Sequence, residues 1–513
     1  MKEEKKQQKI DKKVDEFNRK LDQLKVSPSI EENLEIIDDL FKDNQIIKYR
    51  RIVNENDSSM EFVIVFCEAL VDHILINDSL IKPLILTHIK VGKGDDCVKT
   101  VMERILHAGE IEKADNFRKI VDAVCYGDSV IFISGCQEAL YVDTKKFSSR
   151  TTEEPPAEMV LSGPREGFNE NIMNNMAQLQ KRIRSNDFKC RIMTIGERTK
   201  TICMVCYINS LVNKNVLDRL FKRLESIQMD GILDPNYLIE MIKDNSFTPF
   251  RVLGITERPD SVVGKLLEGR IALLIDGSPV AVTMPYLFME NFQSPEDYYV
   301  NYYYASFSRL LRLTGFILTL FAPALYISIV AFHHELLPVP LLIHFAIERS
   351  SVPFPAAVEA FLMIGIYELI RETGIRVPSN IGQALSIVGA LVIGQAAVDA
   401  KLIAAPMIIV VAITALTGLL VPKLSGAILI FRPLMMLLAS FLGLYGFLLG
   451  ASFILAHLLT LRSMGVIHVS AITKLKFQEV KDLYIRAPWW KMRTRPMELT
   501  QNKVRMKVKR NGK

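Results

Sequence analysis

The chain has 513 residues, enough for more than one domain, and 63 Lys and Arg against 57 Asp and Glu leave a formal charge of +6. So small a net charge gives no general field for holding nucleic acid, and none is expected as a partner. All 7 Cys lie before residue 207, and a disulfide-stapled secreted fold is not expected.

In chain order, residues 1–49 form a charged arm with no apolar core behind MKEEKKQQKIDKK, so no secretory signal is read there and the soluble part is placed in the cytosol. Ser29, with Glu32 three residues on, predicts a helix start. A repeat follows. Phe66, Leu70, Val71 and Asp72 recur as Tyr207, Leu211, Val212 and Asn213, a shift of 141. Gly127, Ile133, Gly135 and Ala139 recur as Gly269, Ile275, Gly277 and Ala281, a shift of 142. Two such close shifts predict two related α/β subdomains, at 50–150 and 190–311, with hairpin turns at Ser134-Gly135 and Asp276-Gly277. Their function is open between a ligand cleft and a structural platform. Between them, 151–189 reads as a linker or clasp. Its charges (Arg150, Glu153, Glu154, Glu158, Arg165) lack the His, Ser or metal partner that catalysis needs, and fit solvated ion pairs. Cys203 and Cys206 sit in a strand-like run, on opposite faces, as core thiols rather than zinc ligands.

Tyr298, Tyr299, Tyr302, Tyr303 and Tyr304 precede a membrane block at 312–461, as an interfacial belt or as domain core. Leu313–Ala331, Ile381–Val398, Leu402–Pro422 and Pro433–Leu461 carry no Asp, Glu, Lys or Arg, and at about 1.5 Å per residue each approaches or exceeds a hydrocarbon core of about 30 Å. Pro433–Leu461 is too long for one straight pass and predicts a tilt, a break near Gly443 and Gly446, or an interfacial end. Pro353–Tyr367 is either re-entrant or an ordinary span with Glu359 near one end. If both chain ends are cytosolic the crossings number four with Pro353–Tyr367 re-entrant, or six if Leu424–Leu461 is a hairpin. The fold class is therefore α/β plus a helical membrane domain.

Charge inside an apolar run is costly and marks either a partner or water. Glu359 is the candidate for a cation path, with a buried ion pair or a hydrogen bond to a neighbouring helix as the plain alternative. In SNIGQALSIVGALVIGQAAVDA from Ser379, small residues alternate with Gln383, Ser386 and Gln395. This face either packs closely against other helices or, in a ring of copies, lines a pore with Ile387 or Ile393 as the constriction. The tail 462–513 carries 14 Lys or Arg against Glu479, Asp482 and Glu498, a net of +11 that leaves −5 for residues 1–461. That places it on the cytosolic side, within reach of anionic lipid headgroups. No GxxxxGK[ST], HExxH or nucleophile elbow occurs, so neither an enzyme nor a cofactor nor a metal is predicted.

Several long stretches, SSRTTEEPPAEMVLSGPREGFNENI from Ser148, TERPDSVVGKLLEGRIALLIDGSPVAVTMP from Thr256, SVPFPAAVEAFLMIGIYELIRETGIRVP from Ser351, SIVGALVIGQAAVDAKLIAAPMI from Ser386 and APWWKMRTRP from Ala487, resemble the A subunits of bacterial spore germinant receptors. The resemblance implies a non-enzymatic subunit of the spore inner membrane. Its implied partners are a permease-like B subunit, a lipoprotein C subunit and further copies of itself. Together they would form a cation channel that opens when nutrient is sensed. A secondary transporter with a regulatory cytosolic domain, and a non-conducting scaffold, stay open as alternatives from the residues alone.

Overall fold

A computed structural model describes residues 21–57, 60–87, 95–146, 154–155, 158–376, 392–469, 482–496, 499–500, 502 and 504–505. Two five-stranded antiparallel sheets make up the first half. The first contains β1 (Ile47–Val53), β2 (Glu61–Cys67), β3 (Ile111–Ala114), β4 (Ser129–Ile133) and β5 (Ala139–Val142), in the order β1-β2-β4-β5-β3. The second contains β6 (Phe188–Ile195), β7 (Thr201–Ile208), β8 (Gly254–Thr256), β9 (Ile271–Ile275) and β10 (Ala281–Met284), in the order β6-β7-β9-β10-β8.

Strand for strand the two orders are the same, and the residues of the sequence repeat hold matching jobs. Gly127 and Gly269, each following a helix, have φ of 105° and 88°, while Gly135 and Gly277 turn the β4-β5 and β9-β10 hairpins at 79° and 82°. This is backbone that residues with a Cβ adopt at a cost. Asp72 and Asn213 both cap a helix, accepting from the N–H groups of Ile74 and Asn215 at 2.9 and 3.1 Å. The central strands β4 and β9 are buried along their whole length, which is why SVIFI and IALLI show no alternation.

In the first sheet Val63, Val65, Val130 and Phe132 pack on the helices Ile30–Leu40 and Phe117–Tyr126, while Phe62, Ile64, Ile131 and Ile133 form a second core on the other face. In the second sheet Cys206, Met204 and Leu274 face the helices Ile172–Arg182 and Pro259–Leu266. Cys203, Val205 and Leu273 face the other way, into a core continuous with the membrane block. Cys203 and Cys206 thus lie on opposite faces. The lobes join where the Gln45 N–H donates to the Cys190 carbonyl at 3.0 Å and Lys189 Nζ donates to the Leu40 carbonyl at 3.1 Å.

The clasp crosses the second lobe. Glu158 accepts from Thr256 Oγ1 at 2.5 Å, and the fully buried Arg258 donates to the Pro164 and Glu158 carbonyls. Glu158 is therefore a docking residue; Arg150 and Glu153 lie outside the described residues.

Among the described residues two helices are long and apolar enough to cross a membrane, Tyr302–Phe332 and the stretch Pro422–Thr460. Tyr302–Phe332 starts ahead of the apolar run and carries Arg309 and Arg312 in its first turns. The segment containing Glu359 is one unbroken helix, Ala356–Arg376, so the expected break lies ahead of it, between Ser351 and Pro355. The prolines account for this, because each removes a donor and restrains the residue before it. Ala405–Gly418 is apolar but only 14 residues long, and most of Ile381–Val398 lies outside the described residues.

The stretch Ser425–Thr460 doubles back at Gly443, where φ is 56° and ψ is −135°. In a straight helix Phe431 and His457 would stand roughly 39 Å apart. Their rings are 6.1 Å apart, and Phe250 packs on both. The break predicted near Gly443 and Gly446 is thus a helical hairpin. Its arms, 425–442 and 444–460, are each about 26 Å long. A Cβ on Gly443 would stand 2.8 Å from Phe332 in backbone that glycine alone tolerates, and one on Gly450 would meet Met435 Sδ at 2.5 Å. Gly443→Ala is expected to lower stability by about 1–3 kcal/mol through backbone strain alone, read from thermal unfolding in detergent. An unchanged transition would mean that the tip can turn without glycine.

Chain direction alternates through the bundle. Tyr302–Phe332 leaves the second lobe and ends at the hairpin tip, where Phe332 meets Gly443. Lys423, at the start of the hairpin, donates to the Gln293 carbonyl at 3.0 Å on the lobe side. After the hairpin, Arg462 N–H meets Asn245 Oδ1 at 3.3 Å, back on the lobe.

Candidate functional site

Glu359 stands in the first turn of Ala356–Arg376 and is 1% exposed. Its Oε2 accepts from the Ala404 N–H at 3.1 Å, and its Oε1 lies 3.7 Å from Arg349 Nη2. Ala404 is the N-cap of Ala405–Gly418 and has no side chain able to cap. A carboxylate from a neighbouring helix thus serves the N-cap N–H and the positive dipole end that this terminus leaves. In the single chain this is the geometry of the plain alternative, an ion pair with a hydrogen bond to a neighbouring helix.

About 13 Å further along the same helix is a second ionic group. Glu368 pairs with Arg432, whose side chain is 1% exposed, and with Arg371 at 2.6 Å. The Arg432 Nε and Nη1 atoms are buried without a hydrogen-bond acceptor, and the Tyr367 ring centroid is 5.9 Å from its guanidinium. Arg432 was not among the sequence candidates, because its place just before Pro433 made it look like the edge of an apolar run. The available signal was GAILIFRPLMM itself, an arginine with apolar residues on both sides.

Ile393 and Gln395 lie on the helix 392–399, whereas Gln383, Ser386 and Ile387 lie outside the described residues. This helix packs through Gly394, near Ile408, and through Ala397. Ile393, 39% accessible, borders that packed side, while Gln395 is exposed on the opposite one and its Nε2 donates to Asp399 Oδ1 at 3.2 Å. Gln395 and Glu359 therefore have different polar partners. Thr319 Oγ1 lies 2.8 Å from Thr417 Oγ1, where Gly315 and Gly418 let two helices approach.

Outside the bundle, charged groups lock lobe, first helix and tail together. Asp297 accepts from Arg309 Nε at 2.8 Å and from Arg312 Nη1 and Nη2 at 3.0 Å, while Arg309 Nη1 also reaches Asp482 Oδ1 at 2.9 Å. Tyr298 donates to Asp482 and is partly buried, and Tyr299 donates to Asp260 but is exposed, as are Tyr303 and Tyr304. The described tail residues are docked: Arg495 Nε donates to the Leu267 carbonyl at 2.6 Å and Thr500 Oγ1 to the Leu211 carbonyl at 2.5 Å. Through these residues the described tail grips the lobe.

A cleft of ≈ 180 Å³ opens at this junction, lined among others by Lys265, Arg270, Glu268, Glu290, Tyr286 and Trp489. Burial holds the Lys265 ammonium below its usual range and raises Glu268, whereas Arg270 and Lys265 outweigh burial and hold Glu290 low. These charges satisfy one another: Lys265 is 3.4 Å from Glu290 and Arg270 donates to it at 2.5 Å. Among the described residues no group of His, Cys, Asp and Glu is arranged to hold a metal.

The sequence was compared with known proteins. It matches the family described as Bacillus/Clostridium GerA spore germination protein over residues 35–498. The chain belongs to the GerA family. It is similar to spore germination protein KA of Bacillus subtilis, 36% identical over 484 residues and covering 94% of this chain and 88% of that protein. It is likewise similar to spore germination protein B1 of the same organism, 39% identical over 381 residues, 74% of this chain and 79% of that one. It is also similar to a Bacillus subtilis protein described as uncharacterized membrane protein YfkQ, 35% identical over 92% of this chain and 91% of that protein. The crystal structure of the N-terminal domain of the A subunit of the Bacillus megaterium spore germinant receptor GerK3 aligns with a TM-score of 0.42 at 30% identity, over 52% of this chain and 97% of that one.

Proposed function

We propose that this GerA-family chain is the A subunit of a spore germinant receptor and that several copies form a cation channel in the spore inner membrane. In this reading the two lobes and the tail are cytosolic, and the bundle crosses six times, two of the passes being the hairpin arms. The permease-like B subunit and the lipoprotein C subunit are its partners, and nutrient sensing by the assembly shifts a closed-to-open equilibrium. Such a shift requires contacts that differ between the two states.

The observation that carries this reading is the exposed face of the helix 392–399. A helix inside a membrane block that turns Gln395 and Asp399 outward on one face, with Ile393 exposed at the edge of the packed side, needs water or another copy against that polar face. Facing an axis shared by several copies supplies both. The candidates Gln383, Ser386 and Ile387 precede it on the same stretch, and Glu359 sets the position of the next helix through Ala404.

The test is cation efflux from liposomes carrying the assembled subunits. Gln395→Leu is expected to slow efflux several-fold, and Ile393→Ser to produce a leak without nutrient, as a widened constriction would. Efflux unchanged in both variants, in protein that is folded and inserted, would remove this helix from the conduction path.

A further inference from the structure

On the second lobe the helix Pro235–Ile242 buries Pro235, Leu238 and Ile242 against the core. Its outer side exposes Tyr237 and Met241, 41% and 54% accessible, and Leu233, just ahead of the helix, is 71% exposed. Phe247, in the loop that follows, is 101% exposed. A phenylalanine held wholly in water gains nothing from folding, and exposed apolar groups clustered on one surface mark a contact.

The position of that cluster says what covers it. The loop 242–250 is built against the exit of the membrane hairpin: Thr248 Oγ1 lies 3.0 Å from His457 Nε2 in the last turn of the second arm. Asn245 Oδ1 accepts from the Arg462 N–H and Asp244 Oδ2 from the Gly465 N–H, at 3.3 and 2.6 Å, immediately after that arm ends. Phe247 therefore sits level with the place where the chain leaves the bundle. Two exposed cations stand at the same exit, Arg462 just after the arm and Arg219, which packs on Gly465. Apolar side chains, a tyrosine and arginines together at such a level form an interfacial surface.

We infer that the Leu233–Phe247 surface is a second membrane contact of this protein, with Phe247 and Met241 entering the boundary between headgroups and acyl chains and Arg219 and Arg462 meeting anionic headgroups. It holds the second lobe at a fixed height on the bilayer beside the spans, so that lobe and bundle move as one. This rests on the membrane placement of the hairpin, and the experiment tests the two separately.

A fluorophore is placed at Phe247→Cys in the full-length chain in phosphatidylcholine–phosphatidylglycerol vesicles. Labelling is selective because all seven native thiols are buried. Matched labels go at Phe453→Cys, on the exposed side of the second hairpin arm, and at Lys119→Cys, on the first lobe. Quenching by a nitroxide carried on the lipid is compared with quenching by iodide in water. The inference expects lipid quenching at residue 247 at least about threefold above that at residue 119, with iodide quenching reduced, since interfacial groups sit about 5–10 Å into the boundary. If residue 453 is lipid-quenched while iodide reaches 247 as freely as 119, the inference is overturned and the hairpin placement stands. Shielding of 247 from both quenchers would mean that a second copy covers the surface, which also overturns it. If residue 453 is not lipid-quenched, the hairpin placement itself fails.

Discussion

Asp297→Ala is expected to be among the most damaging single replacements in this protein, lowering stability by about 3–5 kcal/mol. The Asp297 side chain is 2% exposed and neutralises two guanidinium groups, Arg309 Nε at 2.8 Å and Arg312 Nη2 at 3.0 Å. Removing it leaves Arg309, 1% exposed, with Asp482 as its remaining acid, and a buried cation that has lost its partner costs far more than the pair contributed. The carboxylate also accepts from the Ser294 N–H at 3.2 Å, so the short turn ahead of the first long helix loosens too. Because Arg309 Nη1 holds the Asp482 carbonyl at 2.6 Å, the tail should come free with it. Thermal unfolding in detergent reads the first effect and limited proteolysis of the tail reads the second. Asp482→Ala, at a side chain 28% exposed, should cost less than half as much. Equal melting of Asp297→Ala and the unaltered protein would show that lobe, helix and tail are not held together here.

The second large effect is expected inside the bundle. Glu368→Ala strands Arg432 among apolar helices and should cost about 3–5 kcal/mol, whereas replacing both residues by leucine should be close to neutral. The asymmetry follows from desolvation: the pair exists because each charge needs the other, not because the pair is strong in itself. Arg432 already has two donors without acceptors, so it has nothing to fall back on when Glu368 goes. A thermodynamic cycle over Glu368→Leu, Arg432→Leu and the double variant measures the coupling. Additive single effects would mean that Arg432 finds water or lipid instead. Because Glu368 and Glu359 share a helix, a variant that frees the Glu368 end should also raise efflux without nutrient if that helix moves in opening.

Much of the architecture of the two sheet-containing lobes could be read from local chemistry. Gly127, Gly135, Gly269 and Gly277 mark positions where the backbone needs positive φ, and Asp72 and Asn213 mark helix starts, so the repeat was legible as a repeat of structural duties. Cys203 and Cys206 were assignable to opposite faces by strand parity alone. For the last apolar run the length left a tilt, a glycine break or an interfacial end open, and the structure takes the break, at Gly443.

What a residue meets after the chain has folded was another matter. That Ser425–Thr460 reverses fully, rather than kinking, depends on Met435 and Gly450 packing across the tip. That Glu359 accepts from Ala404, the N-cap of Ala405–Gly418, 45 residues away, and that Arg432 answers Glu368, 64 residues away, are facts of helix packing with no trace in local spacing. The basic tail shows the same division. Its +11 could be counted in the sequence, but only the acids and carbonyls of the second lobe decided that its described part grips protein. Composition and periodicity therefore determined which segments form strands, turns and apolar helices, since those preferences act between neighbours in the chain. Partners for buried charges were decided by the tertiary structure, because the cost of an unpaired charge is met by whichever group the fold brings within reach.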